Sequence, residues 1–154
     1  MQSDIEKIKE IAKEFFEKTG LAVEALEVKA PKDFIVPINL KIEEPQILIG
    51  EQGQTLTEVQ RLLGLVLKKK INTAEPIHIN LDINSYKEKK NEYLKEMARS
   101  AADEAVLTKA ERALPPMSAY ERRIIHTELA SRSDVTTESI GEEPERKIVI
   151  KPVV

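Results

Sequence analysis

The sequence contains no cysteine and no tryptophan, and it has only three tyrosines, three phenylalanines and five glycines. Without cysteine, the chain has no disulfide framework, no thiolate metal site and no cysteine nucleophile. Its two histidines would need carboxylates to complete a zinc site. Because single-strand binders often stack bases on aromatic rings, the scarcity of aromatics limits that mode of nucleic-acid recognition.

Long apolar runs and a leader pattern are also missing from the sequence. No apolar stretch approaches the roughly 20 residues of a membrane-spanning helix. The first residues, Met1 to Asp4, lack the basic and then apolar pattern of a secretory signal. We therefore expect a cytoplasmic protein without a membrane span, and 154 residues suit one ordinary domain or two small ones.

Charge of one sign does not dominate the chain. Its 24 basic and 27 acidic side chains give a formal net charge of −3. Residues 1–83 have a net charge of −3, and residues 84–154 are neutral. Since strong non-specific nucleic-acid binding needs a basic surface, any such surface here has to be a local patch.

Apolar periodicity predicts a mixed helix-and-strand unit in residues 1–83. Helical spacing predicts helices over about 5–18 and 54–70, and alternation predicts strands over 23–28, 34–42 and 77–83. The apolar inner face of the second helix is predicted to comprise Leu56, Val59, Leu62, Leu63, Val66 and Leu67. Because proline has no N–H, Pro37 predicts that its strand lies at a sheet edge or contains a bulge.

Two glycines, Gly50 and Gly53, stand immediately before the second of these helices. Glycine lets the backbone turn tightly and approach another molecule closely. A helix that begins just after such a turn presents unpaired N–H groups, which favour anions such as phosphate. The alternative is a purely structural role as a helix cap and a tight turn, and the two glycines alone would favour that role.

Residues 84–154 predict a second small unit of helices and strands. A long helix with an alanine-rich stripe is predicted over 86–112, and it should end before Pro115 and Pro116. Ser118 and Glu121 form the pattern of a capping box for a helix through about Ala130. Two strands of a hairpin are predicted over 135–140 and 146–150.

Two motifs give the chain a resemblance to a known family. The element order of residues 33–83 and the motif IGEQGQTL resemble a type II KH domain. The segment PMSAYERRIIH, with Arg122 and His126 separated by three residues, resembles the RxxxH ("R-three-H") domain. A KH domain followed by an R-three-H domain resembles the Jag proteins, also called SpoIIIJ-associated or KhpB proteins.

This resemblance implies a fold and a function for the chain. The fold class is α+β, with two small two-layer modules: a type II KH-like domain over 1–83 and an R-three-H domain over 84–154, packed through the helix near 86–112. The function is non-catalytic binding of single-stranded RNA, with single-stranded DNA left open, in post-transcriptional regulation linked to cell elongation and division. A small KH-domain protein or a second copy of the chain is the implied protein partner.

The nucleic-acid-binding residues follow from the same two motifs. We expect RNA contacts from Gly50, Glu51, Gln52, Gly53, Gln54, Thr55, Arg61, Arg122, Arg123 and His126. KH loops usually carry a basic residue between the two glycines, but Glu51 would repel a phosphate there, although salt screens this repulsion over roughly 8 Å. The backbone N–H groups near Gly53 remain available.

Arg122 and His126 are four residues apart, which places them on one helix face. Arginine can hold a phosphate in fork geometry, and histidine can stack or donate a hydrogen bond. The alternative without a binding role is a surface arginine beside a partly buried histidine.

For the whole chain, the rival interpretation is a protein-interaction module whose KH loop has lost RNA binding. We find no paired carboxylates with a nucleophile, no metal-ligand set and no nucleotide-binding loop, so we expect no enzyme and no cofactor.

Overall fold

The computed structural model describes residues 2–72 and 77–154. The chain forms two compact units, Met1–Lys87 and Glu88–Val154. Met1 and residues 73–76, which precede the strand predicted over 77–83, lie outside the described residues. The predicted domain boundary after residue 83 stays a prediction. The two compact units divide between Lys87 and Glu88, in the first turn of the helix that begins at Tyr86.

The first unit contains the predicted order of helices and strands. Its elements are α1 (Gln2–Glu17), β1 (Val23–Val28), β2 (Ile35–Ile42), α2 (Gln46–Ile49), a single 3-10 turn (Glu51–Gly53), α3 (Gln54–Ile71) and β3 (His78–Ile83). Helix α3 ends at Ile71, and its C-cap residue Asn72 adopts a left-handed conformation. Its last turn contains Lys68, Lys69 and Lys70, whose charges favour a helix C-terminus.

The sheet of the first unit has the strand order β1-β2-β3. Strand β1 is antiparallel to β2, and β2 is parallel to β3. The prediction of an edge strand or bulge at Pro37 is therefore wrong, because β2 is central. The carbonyl of Pro37 accepts from the Lys29 N–H just beyond the end of β1, so the missing donor falls where the neighbouring strand stops.

The core of the first unit lies between the sheet and helices α1 and α3. Strand β2 contributes Val36, Ile38, Leu40 and Ile42, and β3 contributes Ile79, Leu81 and Ile83. These alternate positions confirm the period of two that predicted both strands. Two predictions are wrong in this unit. Leu62 was predicted on the inner face of α3, but it is 53% exposed on the outer face. The strand predicted from residue 34 begins at Ile35, and Phe34 precedes it and is 85% exposed.

The second unit begins within helix α4 (Tyr86–Thr108), whose first two residues belong to the first unit. Its further elements are β4 (Arg112–Ala113), α5 (Ala119–Leu129), β5 (Val135–Ile140) and β6 (Lys147–Pro152). Strand β6 is central and antiparallel to both β4 and β5, which confirms the predicted hairpin. The α+β fold class is confirmed for the chain as a whole.

The predicted helix over 86–112 extends too far. Helix α4 ends at Thr108, and Lys109 has a positive φ of 55°. Arg112 and Ala113 instead pair with Ile150 and Val149 of β6. The edge of β6 offers hydrogen-bond partners, and these override the helical pattern of the preceding residues.

The core of the second unit combines the alanine-rich stripe of α4 with apolar residues of α5 and the sheet. Ala98, Ala102 and Ala105 are fully buried, and they join a cluster that contains Leu94, Leu114, Ile125, Leu129, Val135, Ile148 and Ile150. Small side chains on α4 allow its backbone to approach its neighbours closely. Among the described helices, none is both long and apolar enough to cross a membrane.

Candidate nucleic-acid interface

Residues 50–53, which we call the glycine turn, connect α2 to α3. Gly50 has φ 72° and ψ −177°, a backbone conformation that is essentially restricted to glycine. A Cβ atom at this position would lie 2.7 Å from the Cβ of Thr55. The turn therefore requires glycine at position 50, both for its backbone and for the space that Thr55 occupies.

Gly53 serves a second purpose in the same turn. It is buried with φ 75°, and a Cβ atom there would lie 2.8 Å from the ring of Tyr86. Gln52, between the two glycines, also has a positive φ of 58°. Three of the four residues 50–53 therefore have a positive φ: Gly50, Gln52 and Gly53. Together they produce the sharp reversal that directs the chain into α3.

Helix α3 begins immediately after the glycine turn, at Gln54. Gly53 is its N-cap residue, and glycine has no side chain with which to cap the helix. The first N–H groups of a helix have no partner within the helix and carry the positive end of its dipole. The prediction that the N–H groups near Gly53 remain available is wrong for two of them: the Gly53 N–H donates to the Gly50 carbonyl at 3.4 Å, and the Gln54 N–H donates to the Glu51 carbonyl. An anion at this helix end would therefore have to bind the N–H groups further into the first turn, those of Thr55 and Leu56.

The side chains around this helix end are only partly suited to an anion. Glu51, Gln52 and Gln54 are exposed, and Thr55 is half-buried. Arg61 is exposed on α3, seven residues after Gln54, and therefore lies on the same helix face about 10 Å along the axis. The structure thus brings the predicted turn residues together and places one cation, Arg61, along the same face.

Arg122 lies in the first turns of α5 in the second unit, and its side chain is only 9% exposed. Its Nη1 donates to the Met117 carbonyl at 2.7 Å, and its Nη2 lies 2.8 Å from Oε1 of Glu143. The predicted cation is therefore present, but it is already paired. A phosphate at Nη1 or Nη2 would compete with these partners.

His126 lies one turn after Arg122 on α5, as the spacing of four predicts. Its Nδ1 is 2.6 Å from the Thr137 hydroxyl on β5. Partial burial and the neighbouring Arg122 cation lower the pKa of His126 below its ordinary value of 6.5. The ring is therefore mainly neutral at pH 7, and Nε2 is the ring nitrogen that remains for a ligand.

Arg123 is exposed on the adjacent side of α5. We call Arg122, Arg123 and His126 the α5 face. Ser118 and Glu121 position it, because the capping box is present: the Ser118 Oγ accepts from the Glu121 N–H at 3.3 Å, and the Ser118 N–H donates to Glu121 at 2.9 Å. This confirms the predicted start of the helix.

Three partners of the candidate site were not identified from the sequence. Glu143 pairs with Arg122, Thr137 contacts His126, and Tyr86 packs against Gly53. Each is between 11 and 33 residues away in sequence from the residue it contacts, and no local spacing connects the two. Within residues 2–72 and 77–154, no group of three or more histidines and carboxylates is arranged to hold a metal ion.

Comparison with known proteins identifies the second unit and the chain. Residues 92–152 match the model of the R-three-H domain, the domain that the RxxxH motif predicts. An RNA-binding protein KhpB of Clostridium symbiosum is 36% identical over 141 residues, which are 92% of this chain and 63% of that relative. Two further relatives of the same name are each 34% identical. The match covers 73% of this chain and 34% of the relative for Lactiplantibacillus plantarum, and 70% and 52% for Bacillus subtilis.

The chain spans between about one third and two thirds of the length of these three curated relatives. The match to the first of them includes both the glycine turn and the α5 face, since it covers nearly all of the chain. The R-three-H match alone accounts for α5, β5, β6 and most of α4. On these matches, the chain belongs to the KhpB (Jag) family and contains an R-three-H domain.

Proposed function

We propose that this chain is a non-catalytic protein that binds single-stranded RNA through the glycine turn and the α5 face. The relatives that it matches are named RNA-binding proteins, and its R-three-H domain contains both residues of the defining pair. The first unit would act as a type II KH domain. Its order of elements, with the glycine turn between α2 and α3, supports that assignment.

The observation that carries this proposal is the start of α3 behind the glycine turn. A helix of 18 residues, whose N-cap residue is a glycine, begins directly behind a backbone reversal that only glycine permits at position 50. Backbone N–H groups and the helix dipole together favour a phosphate at such an end. A KH loop of this kind contacts about four nucleotides through their backbone.

Charge sets the expected strength of binding. The net charge is −3, and Glu51 lies in the glycine turn itself. Arg61, Arg122 and Arg123 are the cations that the two surfaces supply. Binding should therefore be modest, and it should weaken as salt rises because phosphate contacts release counterions.

The proposal is tested by titrating the full chain into a labelled single-stranded RNA at several salt concentrations, with fluorescence anisotropy as the readout. We expect saturable binding at low salt and a negative slope of log affinity against log salt. A single-stranded DNA of the same sequence shows whether RNA is preferred. No binding at low salt by the folded protein would contradict the proposal.

Two sets of variants separate the two surfaces. Glu51→Gln should tighten binding about twofold to fivefold by removing a repulsive charge, whereas Glu10→Gln on α1 makes the same charge change and serves as its control. Arg122→Ala with His126→Ala should weaken binding. If the double variant is folded and binds RNA as the parent does, the α5 face is not an RNA surface.

By resemblance, we further propose that the RNA-binding activity serves post-transcriptional regulation linked to cell elongation and division. Cells that lack the protein should then differ from the parent in length or shape. Complementation with the Arg122→Ala, His126→Ala double variant should fail to restore the parental shape. Full restoration by that variant would contradict the link between RNA binding and cell shape.

A second candidate function is association with a second copy of the chain through α3. Glu58, Leu62, Leu65 and Lys69 form one exposed stripe along α3, and the two leucines are 53% and 60% exposed. In an antiparallel pair of α3 helices, Leu62 would face Leu65 of the second copy, and Glu58 would face its Lys69. The stripe is therefore complementary to itself in both shape and charge.

Sedimentation equilibrium tests this second candidate. The parent chain should be a dimer at micromolar concentration, and Leu62→Asp should make it a monomer. The charge reversals Glu58→Lys and Lys69→Glu should each weaken the dimer and should restore it when they are combined. A monomeric parent chain, or a failure of the combined variant to restore the dimer, would contradict this geometry.

A further inference from the structure

The guanidinium of Arg122 is almost completely enclosed, yet one of its two partners is an exposed side chain. The Met117 carbonyl is a fixed backbone acceptor for Nη1. The Glu143 carboxylate, which pairs with Nη2, belongs to a side chain that is 59% exposed in the loop between β5 and β6. A buried cation needs a partner, because leaving it unpaired away from water is costly.

The loop that carries Glu143 is held in place independently of this ion pair. The Arg146 side chain donates to the Gly141 carbonyl at 2.6 Å and to the Ser139 carbonyl at 3.2 Å. The Glu145 N–H closes a turn by donating to the Glu142 carbonyl at 2.8 Å. Because other contacts fix the backbone, the Glu143 side chain can leave Arg122 without unfolding the loop.

We propose that Glu143 is an internal competitor for RNA phosphate at Arg122. Its carboxylate occupies the position on Nη2 that a phosphate oxygen would take, and RNA binding exchanges one anion for the other. This inference rests on the proposed function of the α5 face. It adds a residue that controls how strongly, and for which anions, that face binds.

The exchange has two physical consequences. Arg122 stays paired in both states, so the free protein does not hold an unpaired buried charge. A ligand must also offer more than one phosphate contact to displace a tethered carboxylate, whose effective concentration at Arg122 is high. A single nucleotide or free phosphate should therefore compete poorly, whereas an RNA strand that also contacts Arg123 and His126 should succeed.

The test compares three variants of the same loop with the parent chain. Glu143→Gln should bind single-stranded RNA about fivefold more tightly at low salt, and its slope of log affinity against log salt should be steeper by roughly one phosphate contact. Glu142→Gln and Glu145→Gln make the same charge change at exposed positions of that loop. They should change both quantities much less.

An equal effect of all three substitutions would overturn the inference, because it would reflect net charge alone. In an Arg122→Ala background, Glu143→Gln should behave like the two controls, and a remaining excess effect would also overturn it. Thermal unfolding shows whether Glu143→Gln is folded. If it is not, Glu143→Asp retains the charge with a shorter reach and should still tighten binding, and unchanged binding by that variant would overturn the inference.

These outcomes are distinguishable from failure of the proposed function itself. If the parent chain binds RNA but Glu143→Gln binds no better than the controls, only the competitor inference fails. Binding by Glu143→Gln but not by the parent chain would support the inference, with the site blocked in the parent. If the parent chain and all folded variants fail to bind at low salt, both proposals fail.

Discussion

At the residue scale, Arg122 and His126 combine a structural role with a proposed binding role. The guanidinium of Arg122 connects α5 to the Met117 carbonyl and to Glu143, and the ring of His126 connects α5 to Thr137 on β5. The alternative interpretation, a surface arginine beside a partly buried histidine, is therefore correct for His126 and wrong for Arg122, whose side chain is only 9% exposed. It does not exclude phosphate contact, because Glu143 is exposed and the His126 Nε2 has no role in the Thr137 contact.

The lowered pKa of His126 predicts a pH dependence of stability. Its folded pKa lies below the ordinary value of 6.5, so the unfolded chain binds the proton more readily. The stabilising contribution is present above about pH 6.5 and is lost as pH falls through the folded pKa. We expect His126→Gln to reduce the decline in the urea-unfolding free energy between about pH 7 and 5.

The measurement is a series of urea titrations of both proteins across this pH range. Since glutamine does not titrate, the difference between the variant and the parent chain should change with pH. A difference that is constant from pH 7 to about 5 would show that other groups cause the decline.

At the element scale, helix α5 depends on its first turn. The capping box of Ser118 and Glu121 satisfies N–H groups that would otherwise lack partners at the helix start. Ser118→Ala should therefore lower the free energy of unfolding by about 1 kcal/mol. Chemical denaturation checks this value, and Ser131→Ala at an exposed turn position after α5 is the control.

An equal loss for Ser118→Ala and Ser131→Ala would contradict the capping role. Because Glu121 also pairs with Lys90 at 2.6 Å, Glu121→Gln is a less specific test of the cap. Replacing Ser118 by Asp, which caps a helix as well as serine does, should preserve stability.

The elements also show where sequence patterns succeed and fail. The capping box, the hairpin of β5 and β6, and the alternation of β3 were predicted from spacing of two to four residues, which local backbone geometry determines. The end of α4 and the central position of β2 were predicted wrongly. Both depend on a distant strand: β6 pairs with Arg112, and β1 stops where Pro37 lacks its donor.

At the scale of the whole molecule, the chain has two separate apolar cores. One contains residues from α1, β2, α2, α3 and β3, and the other contains residues from α4, α5, β5 and β6. A cavity in one core should therefore destabilise mainly the unit that contains that core. We expect Leu63→Ala and Ile148→Ala each to cost about 3 kcal/mol by leaving a cavity at a fully buried position.

Hydrogen exchange of the intact chain, measured by mass spectrometry, shows which unit loses stability in each variant. Leu63→Ala should accelerate exchange mainly in Met1–Lys87, and Ile148→Ala mainly in Glu88–Val154. Equal acceleration across the whole chain in both variants would indicate one cooperative unit instead.

The sequence by itself determined the α+β class, the order of the elements except β4, the capping box of α5, and the two motifs that identify the family. These features depend on residues within a few positions of one another, whose spacing local backbone geometry fixes. It also located the glycine turn and the Arg122 and His126 pair. Only the tertiary structure decided that Glu143 occupies Arg122, that Thr137 holds His126 and that Tyr86 packs on Gly53, because strand pairing and core packing bring these distant residues together.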